Sequence, residues 1–290
     1  MSKFLKSKSL KALMRAEQLV VAPGGYDGIT ARSVEVAGFS AVYMSGSAVS
    51  AANGYPDFGL LTLTEMVRAA EVMARSVNLP VIADADTGYG NEINVTRAVR
   101  EFERVGVAAI HIEDQVTPKR CGHFDGKEVV ARDEFLAKIR AALAARQSED
   151  FMIIARTDAR AVEGLDEAIT RANLALEVGA DIAFVEAAQT LEEVTLIPQR
   201  VNGPCLLNIV RGGKTPDLSL DDAEQMGYRL AILPSVLLSM TFSAFDNVLN
   251  QLKNTRMPPS SATAPSVTER SKRFGADEWN AIRKASIRSF

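Results

Sequence analysis

Val81-Ile82-Ala83-Asp84-Ala85-Asp86 opens a stretch that closes on Ala108-Ala109-Ile110-His111-Ile112-Glu113, with one amphipathic segment, Asn94 to Val105, between the two. Neither apolar run shows the polar alternation of a half-solvated strand, so both read as parallel strands covered on two faces, joined by a crossover helix. Working outward, the same unit recurs. Further apolar runs lie at Leu19 to Pro23, Ala41 to Ser45, Met152 to Arg156, Ile182 to Glu186, Cys205 to Ile209 and Leu230 to Pro234. Helix-period segments follow at Arg132 to Arg146, Leu165 to Val178 and Leu191 to Val201, and pairs such as Gly38-Phe39 and Gly179-Ala180 stop a helix before the next strand. Eight strand-then-helix units in unbroken series predict an α/β fold, a (β/α)8 TIM-type barrel, over an open doubly wound sheet. Gly24-Gly25 follows the first run, but no GxGxxG turn is present.

The remaining composition agrees with one large barrel. The chain has 290 residues, 47% of them hydrophobic and 24% charged, with a formal net charge of -3 that gives no pull towards nucleic acid or anionic membrane. Two cysteines, Cys121 and Cys205, make no disulfide framework, and the first residues lack the apolar core of a signal peptide. No uncharged apolar run reaches the length of a spanning helix, and a cytoplasmic setting is expected. Past Leu252 the character shifts: Met257 to Thr268 is rich in Pro, Ser, Thr and Ala, and a last helix is predicted from about Asp277. We therefore expect a catalytic barrel over residues 1–255 and a linker with a helical extension over 256–290.

Barrel enzymes carry their active sites at the C-terminal ends of the strands, so polar residues that close apolar runs are site candidates. Here these are Ser45, Asp84, Asp86, His111, Glu113, Arg156, Glu186 and Asn208. Asp84, Asp86 and Glu113, with Asp57 nearby, would repel one another in a cleft unless a cation relieved them. The oxygen-rich set suits Mg2+, with Mn2+ as a substitute, better than zinc. The competing reading makes Asp84 and Asp86 helix caps.

Lys119-Arg120-Cys121-Gly122-His123 sets two cations and an imidazole around a thiol. Nearby positive charge favours a thiolate, so Cys121 is expected to titrate readily and to serve as nucleophile or proton donor. Gly122 and Gly126 suit a mobile lid. The cysteines and histidines have no zinc-ligand spacing, and the plainer alternative is a basic surface loop.

The chain resembles the isocitrate lyase and phosphoenolpyruvate mutase superfamily, its lyase branch most closely. The resemblance rests on Ser45-Gly46-Ser47, Asp84-Ala85-Asp86-Thr87-Gly88-Tyr89-Gly90, His111-Ile112-Glu113-Asp114-Gln115, Lys119-Arg120-Cys121-Gly122-His123 and Ala155-Arg156-Thr157-Asp158-Ala159. It implies a Mg2+-dependent enzyme, a homotetramer built as a dimer of dimers with exchanged C-terminal helices. It implies that Asp84 and Asp86 hold the metal with Asp57 and Glu113 around it, and that Ser45, Gly46 and Ser47 cradle an α-oxy-carboxylate. By the same resemblance Arg156 stabilises an enolate oxygen and Cys121, on a gating loop, protonates the departing carbanion. Tyr43, Lys119, His123 and Glu186 support them.

For substrate, the lyase branch implies a di- or tricarboxylate. Asn208-Ile209-Val210 lacks the Thr, and Ser239 stands in place of the Arg, that accompany a third carboxylate in 2-methylisocitrate lyases. The expectation is therefore a 2-alkylmalate such as 2,3-dimethylmalate, cleaved to pyruvate and a carboxylic acid, with Gly122, Asn208 and Arg211 at the substrate. Arg211 is a hypothetical carboxylate clamp. Cleavage of 2-methylisocitrate, hydrolysis or decarboxylation of oxaloacetate, and a barrel that binds ligand without catalysis are the alternatives.

Overall fold

The computed structural model describes residues 9–259 and 264–287. Eight parallel strands close into one barrel in chain order: β1 (Val20–Gly25), β2 (Val42–Met44), β3 (Val81–Asp84), β4 (Ala109–Glu113), β5 (Met152–Thr157), β6 (Ile182–Val185), β7 (Cys205–Asn208) and β8 (Leu230–Leu233). Closure is made by β8 against β1, with Leu230 opposite Val20 and Leu233 opposite Pro23. Each run predicted from sequence forms its strand, shifted by at most two residues at an end.

The crossover helices follow from their apolar stripes and caps. In α4 (Leu63–Ser76), Leu63, Met66, Val67, Ala70 and Met73 face inward, and Thr62 and Glu65 form a reciprocal capping box. In α5 (Glu92–Arg104), Val95, Ala98, Val99 and Phe102 are buried, and the cap is Asn91, whose side chain accepts from Ile93 N. Asp84 and Asp86 therefore do not cap this helix. The short α1 (Leu10–Ala16) puts Leu10, Leu13 and Met14 into one cluster with barrel residues Ile82, Ile154, Phe184 and Leu230. Arg229, just before β8, donates to the carbonyl oxygens of Met14 and Glu17, so α1 plugs the N-terminal end of the barrel and the opposite mouth stays available.

The other helices over the barrel are α2 (Gly28–Val36), α3 (Gly46–Ala52), α6 (Arg132–Ala145), α7 (Leu165–Glu177), α8 (Leu191–Arg200) and α9 (Leu220–Gln225). The outer face of β1 and β8 retains an apolar groove of about 200 Å3, lined by Val21, Pro23, Val34, Phe39, Leu233 and Leu237 among others.

The chain divides into two compact units, Met1–Ser239 and Met240–Phe290. The second holds most of α10 (Val236–Thr255), then α11 (Val267–Arg273) and α12 (Ala276–Ile287), none of which buries a residue. The last helix starts one residue before its predicted position. Val267 and Thr268 belong to a helix instead of the expected linker, and residues 260–263 of that linker lie outside the described residues. No described helix is long and apolar enough to cross a membrane.

Candidate active site

Strand geometry delivers the functional side chains to one mouth. Asp84, Glu113 and Asn208 are the last residues of β3, β4 and β7, Arg156 is next to last in β5, and Ser45 and Glu186 follow β2 and β6 directly. Asp84, Asp86, Glu113, Arg156, Glu186 and Asn208 are all buried. Backbone strain gathers at the same rim: Asp86, Tyr89 and Ala187 adopt positive φ of 45°, 64° and 56°, which for non-glycine residues requires support from the surrounding structure.

Asp84 Oδ1 accepts a hydrogen bond from Asp86 N at 3.0 Å, so the two carboxylates are held side by side. Burial works against ionisation of Asp84, but His111, Lys119 and Arg156 outweigh it and hold the carboxyl down at about 2. Asp86 is pushed up to about 6 by burial, with Lys119 opposing and Asp84 adding to the rise. Beneath them the Tyr43 hydroxyl lies 2.8 Å from His111 Nε2 and 3.4 Å from Asp84 Oδ2. Burial, then Asp84, raises the Tyr43 phenol well above its usual value, so it remains a hydrogen-bond donor.

These residues fit a hard divalent cation. Glu113 is fully buried and ion-paired to Arg156 at 3.2 Å, yet among the described residues neither of its carboxylate oxygens accepts a hydrogen bond. A Cβ on Gly46 would stand 2.4 Å from Asp84 Oδ2, so glycine keeps the space before that carboxylate open. Among the described residues no three His, Cys, Asp or Glu side chains converge on one point. The side-by-side Asp84 and Asp86 carboxylates suit Mg2+, which takes one or two carboxylates and keeps several waters. Lys119 Nζ meets both Asp57 Oδ1, at 2.5 Å, and Asp86 Oδ1, at 2.9 Å.

Residues 117–127 leave the barrel through a narrow neck. Val116 N donates to Glu128 O at 2.9 Å, and Gln115 and Val129 form an antiparallel bridge. Gln115 further clamps Arg120, accepting from its amide and donating to its carbonyl at 2.9 Å each. Lys119 is inserted between Asp57 and Asp86, the latter at 2.9 Å. Burial alone would discharge it, but Asp86, Asp57 and Asp84 keep its ammonium protonated.

The thiol behaves opposite to expectation. Burial, then the Asp57 carboxylate, pushes Cys121 up to about 11. The flanking cations do not reach it to effect, because Lys119 is spent on two carboxylates and Arg120 is exposed. Cys121 is therefore a protonated thiol at neutral pH, suited to give a proton and not to attack as a thiolate.

Across the mouth, Arg156 meets Asp158 at 2.9 Å, Glu113 at 3.2 Å and Glu186 at 3.4 Å. Asn208 Nδ2 donates to Glu186 Oε2 at 3.0 Å, which leaves the buried Asn208 Oδ1 without a hydrogen-bond partner among the described residues. Lys214 N donates to His123 Nδ1 at 3.0 Å, so the neutral ring carries its proton on Nε2, which faces Glu186 Oε1 at 3.7 Å. Ser45 Oγ caps α3 by accepting from Ala48 N at 3.3 Å and lies 3.1 Å from Ser47 Oγ. Arg211 is exposed on the loop after β7, the loop whose Lys214 amide reaches His123. Sequence reasoning overlooked Lys127 and gave Asp158 no role. The signal for Asp158 was available, since an arginine buried at a strand end needs carboxylates and Asp158 lies two residues on.

Fold and mouth together define a barrel enzyme with an acid-rich, loop-covered site. A family model described as phosphoenolpyruvate phosphomutase matches residues 10–253, and the chain belongs to that family. It is 46% identical over 246 residues to 2,3-dimethylmalate lyase of Eubacterium barkeri, covering 84% of this chain and 85% of that one. It is 45% identical over 243 residues to 2-methylisocitrate lyase of Aeropyrum pernix, covering 84% and 78%. Among solved structures, 2,3-dimethylmalate lyase superposes with a TM-score of 0.91 at 38% identity, over 97% of this chain and 96% of that one. Oxaloacetate acetylhydrolase with 3,3-difluorooxalacetate gives 0.92 at 35%, over 98% and 97%, and phosphonopyruvate hydrolase with oxalate and Mg2+ gives 0.86 at 29%, over 95% and 97%. The chain is a carbon–carbon lyase of the PEP mutase/isocitrate lyase superfamily, whose members are generally metal-dependent.

Proposed function

We infer that the enzyme cleaves a 2-alkylmalate such as 2,3-dimethylmalate into pyruvate and a carboxylic acid. The observation that carries this reading is the charge balance at the mouth. Each buried cation there is already matched: Arg156 by Asp158, Glu113 and Glu186, Lys119 by Asp57 and Asp86, and Lys127 by Asp158. Arg211 is exposed, and Ser239 offers no charge. A third substrate carboxylate would enter without a cation of its own, which is costly once water is excluded.

Asp84 and Asp86, with Glu113 near, would hold Mg2+, or Mn2+ in its place. A bound ion would supply Lewis-acid stabilisation of negative charge developing on the substrate. The chain's own groups do the rest. Ser45, Gly46 and Ser47 receive the α-oxy-carboxylate, and Arg156 stabilises negative charge on the substrate oxygen as it develops. Asn208 Oδ1 is free to accept from a substrate hydroxyl. An ionised carboxylate of the mouth takes the 2-hydroxyl proton, the C2–C3 bond breaks, C2 becomes the keto carbon of pyruvate, and the bond's electrons pass to C3 as an enolate-type carbanion. Cys121 then gives its thiol proton to C3. His123, Glu186 and Tyr43 orient the surrounding groups.

Pyruvate release from 2,3-dimethylmalate, 2-methylisocitrate and oxaloacetate, each with and without Mg2+, tests this. Preferred turnover of dimethylmalate is expected. Faster cleavage of 2-methylisocitrate would show that the charge argument fails, and oxalate plus acetate from oxaloacetate would show a hydrolase.

For assembly we infer a homotetramer, a dimer of dimers that exchanges C-terminal helices. The apolar groove over β1 and β8, and exposed Phe242, Phe245, Leu249 and Trp279, support it. Sedimentation equilibrium decides, and a monomer at micromolar concentration would refute it. The cytoplasm is the proposed setting, in keeping with the unpaired Cys121 and Cys205.

A further inference from the structure

Lys127 takes no part in the chemistry above, yet its side chain is wholly withdrawn from solvent. Its ammonium donates to Asp158 Oδ1 at 2.7 Å and also to the carbonyl oxygen of Gly122. Asp158 is a fixed point of the barrel: its amide donates to Asp114 Oδ1 at 2.8 Å, and its carboxylate takes Arg156 Nε at 2.9 Å. Gly122 belongs to the loop tip, between Cys121 and His123. A Cβ there would stand 2.5 Å from Arg156 Nη2 and 2.6 Å from Glu186 Cγ, so the tip rests directly on those two side chains.

One buried ammonium thus spans the loop tip and the barrel. Desolvating a lysine is costly and is offset only while its charge partner and acceptors stay within reach. Lifting the tip would remove the Gly122 carbonyl and leave a buried donor unmatched. Other ties reach the loop as well: His123 Nδ1 accepts from Lys214 N at 3.0 Å and its Nε2 faces Glu186 Oε1 at 3.7 Å, and nearer the loop's base Lys119 is held by Asp57 and Asp86, but none of these engages the Gly122 carbonyl. At the outer rim the contacts are weaker. Lys214 Nζ meets Asp125, which is almost fully exposed, and Phe124 meets Phe58 edge-on at 6.2 Å. An exposed pair of the first kind contributes little.

We propose that Lys127 is a positioning residue that latches the loop shut, clamping the Gly122 carbonyl to Asp158 and so keeping the Cys121 thiol at the mouth. The same carboxylate orients Arg156, so loop closure and the placement of the guanidinium share one support. The catalytic consequence rests on reading Cys121 as the loop-borne acid; the latch itself can be measured without substrate.

The test is alkylation of the full-length protein by iodoacetamide, followed residue by residue by peptide mass. Cys205 is buried in β7 and serves as the internal control for general loosening. In Lys127→Met, Cys121 should react at least fivefold faster than in the wild type while Cys205 stays protected. Removing a cation would by itself disfavour the thiolate and slow the reaction, so acceleration reports opening. Lys127→Arg, which keeps the charge, should fall closer to wild type than Lys127→Met does. A change below fivefold in Lys127→Met, or Cys121 and Cys205 accelerating together, overturns the proposal. Should Lys127→Met not fold, Lys127→Gln is read by the same criteria. With 2,3-dimethylmalate, kcat should drop at least tenfold in Lys127→Met with KM changed less than threefold. If the wild type turns over no member of the substrate panel, the functional reading fails, and the alkylation rates still decide the latch.

Discussion

If Cys121 is an acid held protonated by its surroundings, both its reactivity and its catalytic weight can be stated in advance. Raised to about 11 by burial and by Asp57, the thiol is ionised to roughly one part in a thousand at about pH 8, against about one part in ten for a thiol at the usual 9.0. Alkylation of wild-type Cys121 should therefore run on the order of a hundredfold slower than that of an unhindered cysteine, and its rate should climb about tenfold per pH unit to about pH 10. Through that range the acid form persists, so kcat should show no basic limb from this group below about pH 10. Replacing the thiol by the far less acidic hydroxyl in Cys121→Ser should lower kcat about 10²- to 10⁴-fold, the span general acids contribute, or about 3–5.5 kcal/mol of activation free energy. Pyruvate release followed under saturating substrate and Mg2+ measures it. An alkylation profile that levels off by about pH 8.5 would reveal a thiolate and refute the acid assignment. So would a Cys121→Ser enzyme that retains more than about a tenth of wild-type kcat.

Three other perturbations probe the surroundings. Gly46→Ala would place a methyl 2.4 Å from Asp84 Oδ2, so turnover should fall at least about a hundredfold, and an active variant would show that the space before Asp84 is not used. Chelation should abolish turnover, with recovery on Mg2+ and partial recovery on Mn2+, and activity surviving exhaustive chelation would remove the metal from the scheme. Arg171→Met would withdraw the guanidinium that pairs with buried Asp114 at 3.2 Å and with Glu167 at 2.8 Å. A loss of about 3–5 kcal/mol in urea unfolding is expected near neutral pH. That deficit should shrink towards about pH 5, because Asp114, raised to about 6 by burial and by Asp158, then takes up a proton and the uncompensated charge disappears. A deficit below about 1 kcal/mol at neutral pH would contradict the assignment.

The barrel was legible because parallel strands covered on both faces write themselves as uninterrupted apolar runs, and because polar residues at their ends share one mouth by topology. Asp84, Glu113, Arg156 and Asn208 could be placed on that basis alone. Charge pairing could not. Lys119 and Cys121 are near neighbours in the chain, but the lysine is drawn to Asp57, 62 residues away, so proximity in sequence predicted the wrong sign for the thiol. Lys127 gave no signal, since a lysine in a charged loop ordinarily reads as solvated, and its burial depends on Asp158 arriving from β5. The boundary between the two compact units was hidden for another reason. It falls within α10, a single helix of 20 residues whose composition does not change where the division occurs.

The neck that joins Val116 to Glu128 makes residues 117–127 a cassette whose ends already meet before any tip residue is chosen. Lengthening such a segment costs the barrel little, since doubling a flexible loop adds only about 0.6 kcal/mol of closure entropy. Beyond Lys119 the tip can thus be rewritten over evolutionary time, trading one set of substrate contacts for another, while strand register and the Lys119–Asp86 pair go undisturbed. Diversification of reactions on this scaffold is then limited less by folding than by the need of each new tip to find a footing beside Asp158.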